Sequence, residues 1–105
     1  MYPRQLVLAL LAGSASFASV AASAADASHG AVLARRWCSS CHVVAAGQRQ
    51  VTGEAPPFET IANRPDFDAN RLAFFLLDPH PKMPDMGLSR TEAADLAAYI
   101  ASLKK

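Results

Sequence analysis

Apolar residues recur at spacings of three and four in three stretches of this chain, and that spacing is the period of one face of an α-helix. The first stretch runs from Ala27 to Val43. Its apolar positions are Gly30, Leu33, Ala34 and Trp37. The pattern predicts a first helix that leads directly into Cys38.

The second stretch predicts a helix that ends near Leu77. Its apolar stripe consists of Leu72, Phe75 and Leu76. Asp66 or Asp68 can cap the first turn, because an aspartate side chain accepts hydrogen bonds from the free N–H groups there. Pro79 and Pro81 then require an extended loop, since proline cannot continue a helix.

The third stretch lies at the C-terminal end of the chain, where Ser89 and Glu92 have the spacing of a capping box. The apolar face of this last helix consists of Ala93, Leu96, Ala97, Ile100 and Leu103. A shorter helical turn is expected from Phe58 to Ala62, after a polar loop from Ala45 to Pro57. No segment alternates apolar and polar residues over the length of a strand. The sequence therefore predicts an all-α domain of three to four short helices joined by long loops.

The beginning of the chain has the three parts of a secretory signal peptide. Arg4 precedes an apolar core from Leu6 to Ala12, and the small residues Ala22-Ser23-Ala24 suit signal peptidase. We therefore expect residues 1–24 to be cleaved when the protein is exported to the periplasm. An uncleaved membrane anchor is the alternative, because residues 5–25 carry no charge.

Residues 25–105 are predicted to form one domain, because a chain of this length allows no second one. They contain all nine acidic residues and nine of the ten basic residues, so this domain is formally neutral. Neutrality gives no electrostatic reason to expect nucleic acid or an anionic lipid surface as a partner. A domain of about 80 residues with long loops usually needs a disulfide, a metal or a cofactor to complete its core.

Cys38-Ser39-Ser40-Cys41-His42 is the Cys-x-x-Cys-His signature of covalent haem attachment. In helical geometry these cysteines and the histidine stand at i, i+3 and i+4, which places both thiols and the imidazole on one face. The thiols of Cys38 and Cys41 can then add to the two vinyl groups of a haem, while His42 binds its iron.

Three other interpretations of the two cysteines are a structural disulfide, a thioredoxin-like redox pair and half of a zinc site. A thioredoxin-like pair needs a preceding strand, and no strand is predicted before Cys38. A closed zinc site needs four protein ligands, and the remaining histidines are His29 and His80. Covalent haem c is favoured, because it also explains what completes the core.

A haem bound through His42 has a second axial position, for which the chain offers four candidate ligands. They are Met83, Met86, His80 and His29. Met83 is favoured, because Pro81 and Pro84 stiffen its loop and a thioether is a soft ligand suited to iron in both oxidation states. Met86 is interpreted as filling a gap in the core, and His80 as facing solvent.

Beyond the haem motif, the whole of residues 25–105 resembles the bacterial class I cytochromes c. The matching positions are Gly30, Leu33, Cys38 to His42, Ala55-Pro56, Met83-Pro84, Leu88-Ser89 and Ala98-Tyr99-Ile100. The resemblance implies a small cytochrome c fold wrapped around one haem c. It further implies that Met83 is the distal iron ligand and that the carbonyl of Pro56 accepts a hydrogen bond from His42.

The same resemblance implies that Gly30 and Tyr99 mark the crossing of the first and last helices. The side chains expected in the haem pocket or the core are Trp37, Phe58, Leu72, Phe74, Phe75 and Leu76. Arg64 and Arg71 either pair with haem propionates or are solvated at the surface, and neither is assigned to the site.

These expectations describe a periplasmic one-electron carrier of positive potential rather than an enzyme. A haem with both axial positions filled by the protein has no open site for a substrate, so it exchanges electrons through its edge. Redox proteins are the expected partners, and they would dock briefly near residues 38–43 and 83–88. Two alternatives keep the haem: a dedicated electron-transfer subunit of a periplasmic oxidoreductase, and a haem-based sensor or peroxidase.

Overall fold

The computed structural model describes residues 12–18, 24–49, 55–79 and 81–105. These residues form four α-helices and no strand. The helices are α1 (Ala27–Trp37), α2 (Phe58–Ala62), α3 (Ala69–Leu77) and α4 (Arg90–Ser102). The prediction of an all-α domain with short helices and long loops is therefore confirmed.

The first helix ends at Trp37, so the prediction that it extends to Val43 is wrong. The chain leaves the helix at two consecutive serines. The hydroxyl of Ser39 donates to the carbonyl oxygen of Arg35 at 2.6 Å, and it thereby competes with the backbone for an acceptor of the last helical turn. The haem motif consequently lies in hydrogen-bonded turns that follow α1 rather than inside it.

Side-chain caps fix the starts of the three longer helices. The carboxylate of Asp26 accepts hydrogen bonds from two N–H groups of the first turn of α1. Asp68, the second of the two aspartates considered, caps α3 by accepting from the N–H of Arg71 at 2.9 Å. Ser89 and Glu92 form the predicted capping box of α4, with both of its hydrogen bonds at 3.0 Å. Each cap satisfies donors that a helix start leaves free.

The fourth helix is the centre of the domain, because α1, α2 and α3 all pack against it. α1 crosses it at Gly30, where a Cβ atom would overlap the backbone oxygen of Asp95 and lie only 2.8 Å from the Cβ of Tyr99. No side chain fits there, so this close approach of two backbones requires glycine. Because Cys38 directly follows α1, the crossing also sets where this buried residue lies in the domain.

The core lies where the helices meet α4. Its most deeply buried side chains are Leu33, Ala34, Val44, Phe58, Ala62, Leu76, Ala93, Leu96, Ala97 and Ile100. Phe74 was expected among them, but it is 75% exposed. α3 turns Leu76 toward the core, and Phe74 stands two positions earlier, which is nearly the opposite side of a helix.

The predicted signal peptide lies largely outside the described residues. The structure describes residues 12–18 of it and Ala24, which are exposed and belong to no regular element. Within the described parts of the chain, no helix has both the length and the apolar character needed to cross a membrane. Cleavage after Ala24 and export stay predictions.

Candidate haem-binding site

Two adjoining cavities lie on the side of the domain where the haem motif ends. The smaller one, of about 300 Å³, is lined by residues 37, 38, 40–42, 55, 56, 82–84 and 86. The larger one, of about 560 Å³, extends from there to α2 and α3. His42, Pro56 and Met83 line both cavities. These three residues therefore stand at a shared boundary, and the two cavities are parts of one cleft.

The turn after α1 brings both cysteines and the histidine of the motif to this cleft. The carbonyl oxygen of Cys38 accepts hydrogen bonds from the N–H groups of Cys41 at 3.2 Å and His42 at 2.9 Å. The i, i+3, i+4 relationship expected from the sequence thus survives in a single turn. All three side chains line the smaller cavity.

The two thiols stand in different surroundings, although they share a cavity. Cys38 is buried and Cys41 is exposed, and neither is in a disulfide. Burial, with a smaller contribution from Cys41, raises the pKa of the Cys38 thiol to about 11. Cys38 is therefore held as a neutral thiol, and the structure gives no support to a redox pair of the thioredoxin type, which needs a lowered thiol pKa.

A hydrogen bond to the backbone of Pro56 orients the imidazole of His42. Its Nδ1 lies 2.6 Å from the carbonyl oxygen of Pro56, so Nδ1 carries the proton and donates it. The other ring nitrogen, Nε2, keeps its lone pair for a metal. The ring also packs against Phe58, with 5.2 Å between the ring centroids. Two independent contacts thus fix the direction of the imidazole.

The two methionines of the C-terminal loop are placed differently. Met83 lines both cavities and packs against the buried core, whereas Met86 lines the smaller cavity alone. Met83 thus stands, like His42 and Pro56, at the boundary between the two cavities. The structure also makes Met86 a cavity residue rather than the core filler that was expected.

The described histidine candidate for the second axial position lies away from the cleft. His29 stands at the start of α1 and lies 2.8 Å from the carboxylate of Asp95, and it lines neither cavity. His80 lies outside the described residues. Among the residues described, the nitrogen and sulfur ligands that the cleft offers to a metal are one imidazole, two thioethers and two thiols.

Comparison with known proteins identifies the family of this chain. Residues 25–100 match the family model described as "Cytochrome C oxidase, cbb3-type, subunit III". The chain is also 61% identical over 99 residues to "Cytochrome c-552" of Bradyrhizobium diazoefficiens, an alignment that covers 94% of this chain and 90% of that protein. This chain is a small bacterial class I c-type cytochrome. No solved structure matches it.

The cytochrome is an electron carrier, and its cofactor is a covalently bound haem c with one iron. The cleft fits that group by its chemistry. Two thiols can form thioethers, an imidazole and a thioether face a shared boundary, and most of the remaining lining is apolar. A cleft of this kind is what a largely apolar prosthetic group requires.

The larger cavity of the cytochrome combines an apolar interior with charged groups. Its apolar lining consists of Phe58, Ile61, Phe67, Leu72, Phe75, Leu76 and Ile100. Arg64 and Arg71 line it as well, together with Asp66 and Asp68. Both arginines that were considered as propionate partners therefore border the cleft, although the two aspartates offer them acidic neighbours within the protein.

The smaller cavity of the cytochrome opens beside an exposed aromatic side chain. Trp37 lines this cavity and is 43% exposed, so it belongs to the rim and not to the buried core. The guanidinium of Arg36 stands over its ring, 5.1 Å from the centroid, which is a cation–π contact. Lys82 and the exposed Cys41 lie on the same rim. This rim is where one edge of the cleft meets solvent.

Two polar residues with structural roles, one beside the haem motif and one at the crossing of α1 and α4, were not predicted from the sequence. Gln48 makes three side-chain hydrogen bonds to residues 39–44, yet it lies in a polar loop where no periodicity marks it. Asp95 is buried in α4, where it accepts a hydrogen bond from the N–H of Asp26 at 2.7 Å. No pattern in the sequence marks it, because Asp95 stands outside the apolar stripe of Ala93, Leu96 and Ala97.

Proposed function

We propose that this cytochrome is a periplasmic one-electron carrier with a six-coordinate haem. Cys38 and Cys41 would hold the haem covalently, and His42 and Met83 would bind its iron from opposite sides. The observation that supports this most directly is the shared boundary of the two cavities. His42, hydrogen-bonded to Pro56, and Met83 both stand there.

Each of the proposed site residues has a separate task. The turn at Cys38 presents both thiols to one cavity, so it sets the orientation of the haem as well as its attachment. The hydrogen bond that His42 donates to Pro56 fixes the ring and raises the basicity of the ligating nitrogen. Met83 lies between Pro81 and Pro84, whose rings stiffen the backbone on both sides of it. Its thioether would supply a soft ligand that favours ferrous iron.

When bound in this way, haem c supplies one-electron exchange. With both axial positions occupied by side chains, no coordination site is left for a substrate, which supports a carrier over an enzyme. The apolar wall of the larger cavity would exclude water and further favour the ferrous form, whose net charge is lower. We therefore expect a positive reduction potential.

The partners of such a carrier are redox proteins, and the rim beside Trp37 is the proposed place of contact. Trp37, Cys41 and Lys82 bring an aromatic ring, the second thioether position and a positive charge to the opening of the cleft. Redox encounters are small and short-lived, so binding there would be weak. The formal neutrality of residues 25–105 gives no reason to expect nucleic acid as a partner.

The experiment that tests this function uses the protein isolated from the periplasm of a host with a haem c maturation system. We expect an N-terminus after residue 24, covalent haem, the charge-transfer band of methionine-ligated ferric haem, and reversible one-electron oxidation. Slow binding of carbon monoxide to the ferrous protein is also expected, because Met83 must leave first. Rapid carbon monoxide binding without the methionine band would instead indicate a sensor or peroxidase.

A second candidate function is favoured by the family match. The description of the matching family names an oxidase subunit, which is consistent with a dedicated electron-transfer subunit of a larger complex. Size-exclusion chromatography of the protein from its native membrane and periplasmic fractions separates the two possibilities. A carrier elutes as a free small protein, whereas a subunit elutes with a large complex and remains there at high ionic strength.

A further inference from the structure

The side chain of Gln48 holds the segment that contains the haem histidine. Its Nε2 donates to the carbonyl oxygens of Ser39 at 3.0 Å and His42 at 2.8 Å. Its Oε1 accepts from the N–H of Val44 at 2.9 Å. A primary amide has two N–H donors and one acceptor oxygen, so every polar function of this side chain is used on one short segment.

A tight turn places Gln48 against that segment. Gly47 has a φ of 81°, in the left-handed region that favours glycine, and the N–H of Gln48 donates to the carbonyl oxygen of Ala45 at 3.3 Å. The chain therefore reverses direction directly after Val44. This turn places the half-buried amide of Gln48 beside the preceding residues 39–44.

Bonds from two other helices hold the two residues that follow His42. The N–H of Phe58 donates to the carbonyl oxygen of Val43 at 2.9 Å, and the hydroxyl of Tyr99 donates to that of Val44 at 2.5 Å. The N–H of His42 donates to the carbonyl oxygen of Cys38 at 2.9 Å, and Gln48 engages the carbonyl oxygen of His42. Gln48 therefore fixes the peptide that follows the Cα atom from which the imidazole extends.

We infer that Gln48 is a positioning residue for His42, an inference that rests on the proposed role of His42 as an iron ligand. The bond from Nδ1 to Pro56 is short, at 2.6 Å, and a hydrogen bond weakens steeply as its angle falls. A small rotation of the His42 peptide would tilt the ring away from Pro56. By fixing that peptide, Gln48 keeps the bond aligned and thereby maintains the basicity of the ligating nitrogen.

Two variants of the haem-loaded protein test this inference. Gln48→Glu keeps the length of the side chain, but an ionised carboxylate can only accept, so both bonds to carbonyl oxygens are lost. Gln48→Leu loses all three bonds. The matched control is Asn63→Ala, which removes another amide with one donated and one accepted bond, to Glu59 at 2.8 Å and Lys105 at 3.0 Å, outside the cleft.

The decisive readout is solvent exchange of the Nδ1 proton of His42, followed by NMR. In both Gln48 variants we expect exchange to accelerate on the order of tenfold, because the net contribution of one hydrogen bond to stability corresponds to a change of about that size in an equilibrium constant. The reduction potential should shift to more positive values, because a less basic imidazole stabilises ferric iron less. Acidification that protonates the carboxyl group introduced by Gln48→Glu returns one donor and should slow the exchange again.

The outcomes separate three cases. If the Gln48 variants unfold at lower denaturant concentration but keep wild-type exchange and potential, as Asn63→Ala is expected to, Gln48 is merely structural and the inference is overturned. If Gln48→Leu fails to load haem, the nearly isosteric Gln48→Glu decides the question. If the wild-type protein itself lacks an iron bond to His42, its spectrum shows this before any variant is made, and the proposed function fails together with the inference.

Discussion

The Nδ1 of His29, at the start of α1, lies 2.8 Å from a carboxylate oxygen of the buried Asp95 in α4. The same carboxylate accepts a hydrogen bond from the backbone N–H of Asp26 through its other oxygen. Asp95 therefore binds the cap and the first turn of α1 together. Because one partner is a histidine, this junction between the two ends of the domain depends on pH.

The direction of that dependence follows from the two pKa shifts. The hydrogen bond to Asp95, aided by the charges of Asp26 and Glu92, raises the pKa of His29 above its ordinary value of 6.5. The N–H of Asp26 and the bond to His29 lower the pKa of Asp95 below its ordinary value of 3.8. The His29 contribution is complete below 6.5 and is lost as pH rises through the raised pKa, whereas the Asp95 contribution is complete above 3.8 and is lost on strong acidification.

We predict that the haem-loaded protein loses resistance to denaturant as pH rises above 6.5 through the raised pKa of His29, and that His29→Gln abolishes this part of the pH dependence. Glutamine still offers a donor to Asp95 but does not titrate. The measurement is the urea midpoint of unfolding at a series of pH values. An identical slope in the two proteins would contradict the prediction and would assign the dependence to other groups.

The close approach of α1 and α4 predicts the effect of a single methyl group. In Gly30→Ala the new Cβ would meet backbone atoms of Asp95, which cannot move aside as the end of a side chain can. We expect the free energy of unfolding to fall by about 3 kcal/mol or more. Denaturant unfolding of the haem-loaded variant measures this loss.

The control for Gly30→Ala is Ser28→Ala, a change on the exposed side of the same helix. We expect it to alter the free energy of unfolding by no more than about 0.5 kcal/mol. Equal stability of the two variants would show that the helices can separate at the crossing with little cost.

The different positions of the two methionines predict different spectra for their variants. Met83→Ala should lose the charge-transfer band of methionine-ligated ferric haem and should bind carbon monoxide rapidly in the ferrous state. Met86→Leu should keep the band, because Met86 lines the smaller cavity alone and leucine replaces its apolar volume. A band that survives in Met83→Ala and disappears in Met86→Leu would exchange the roles of the two residues.

The cleft between the haem motif, α2, α3 and the loop around Met83 predicts that folding depends on the haem. Without the prosthetic group, α3 and the loop around Met83 would border open space instead of packing on a common core. The double variant Cys38→Ala/Cys41→Ala, isolated free of haem, should therefore lose most of its helical circular dichroism. A helical spectrum with a cooperative melt would refute this prediction.

The sequence predicted the elements that depend on local patterns. The capping box at Ser89, a cap at either Asp66 or Asp68, the short α2, and the turn that brings Cys38, Cys41 and His42 together all follow from a few neighbouring residues. The extension of α1 to Val43 failed because a side-chain hydrogen bond from Ser39 outweighed the apolar periodicity.

What the sequence could not predict depends on partners distant along the chain. Gln48 is informative only once the turn at Gly47 folds it back onto the haem segment. Asp95 is explained only when α1 crosses α4 and brings the N–H of Asp26 to it. The exposure of Phe74, by contrast, follows from its place outside the stripe of Leu72, Phe75 and Leu76, so the helical period could have predicted it.

The crossing of α1 and α4 has a consequence for the length of the chain between them. It joins Asp26 to Asp95, residues separated by 69 positions, and so closes almost the whole domain into one loop. The entropy of closing a loop grows only with the logarithm of its length, so a doubling costs about 0.6 kcal/mol. The crossing therefore sets little limit on insertions in the intervening loops. What limits insertions is that His42 and Met83 must keep their places in the cleft. We expect insertions and deletions to be tolerated in loops where they leave the positions of these two residues unchanged.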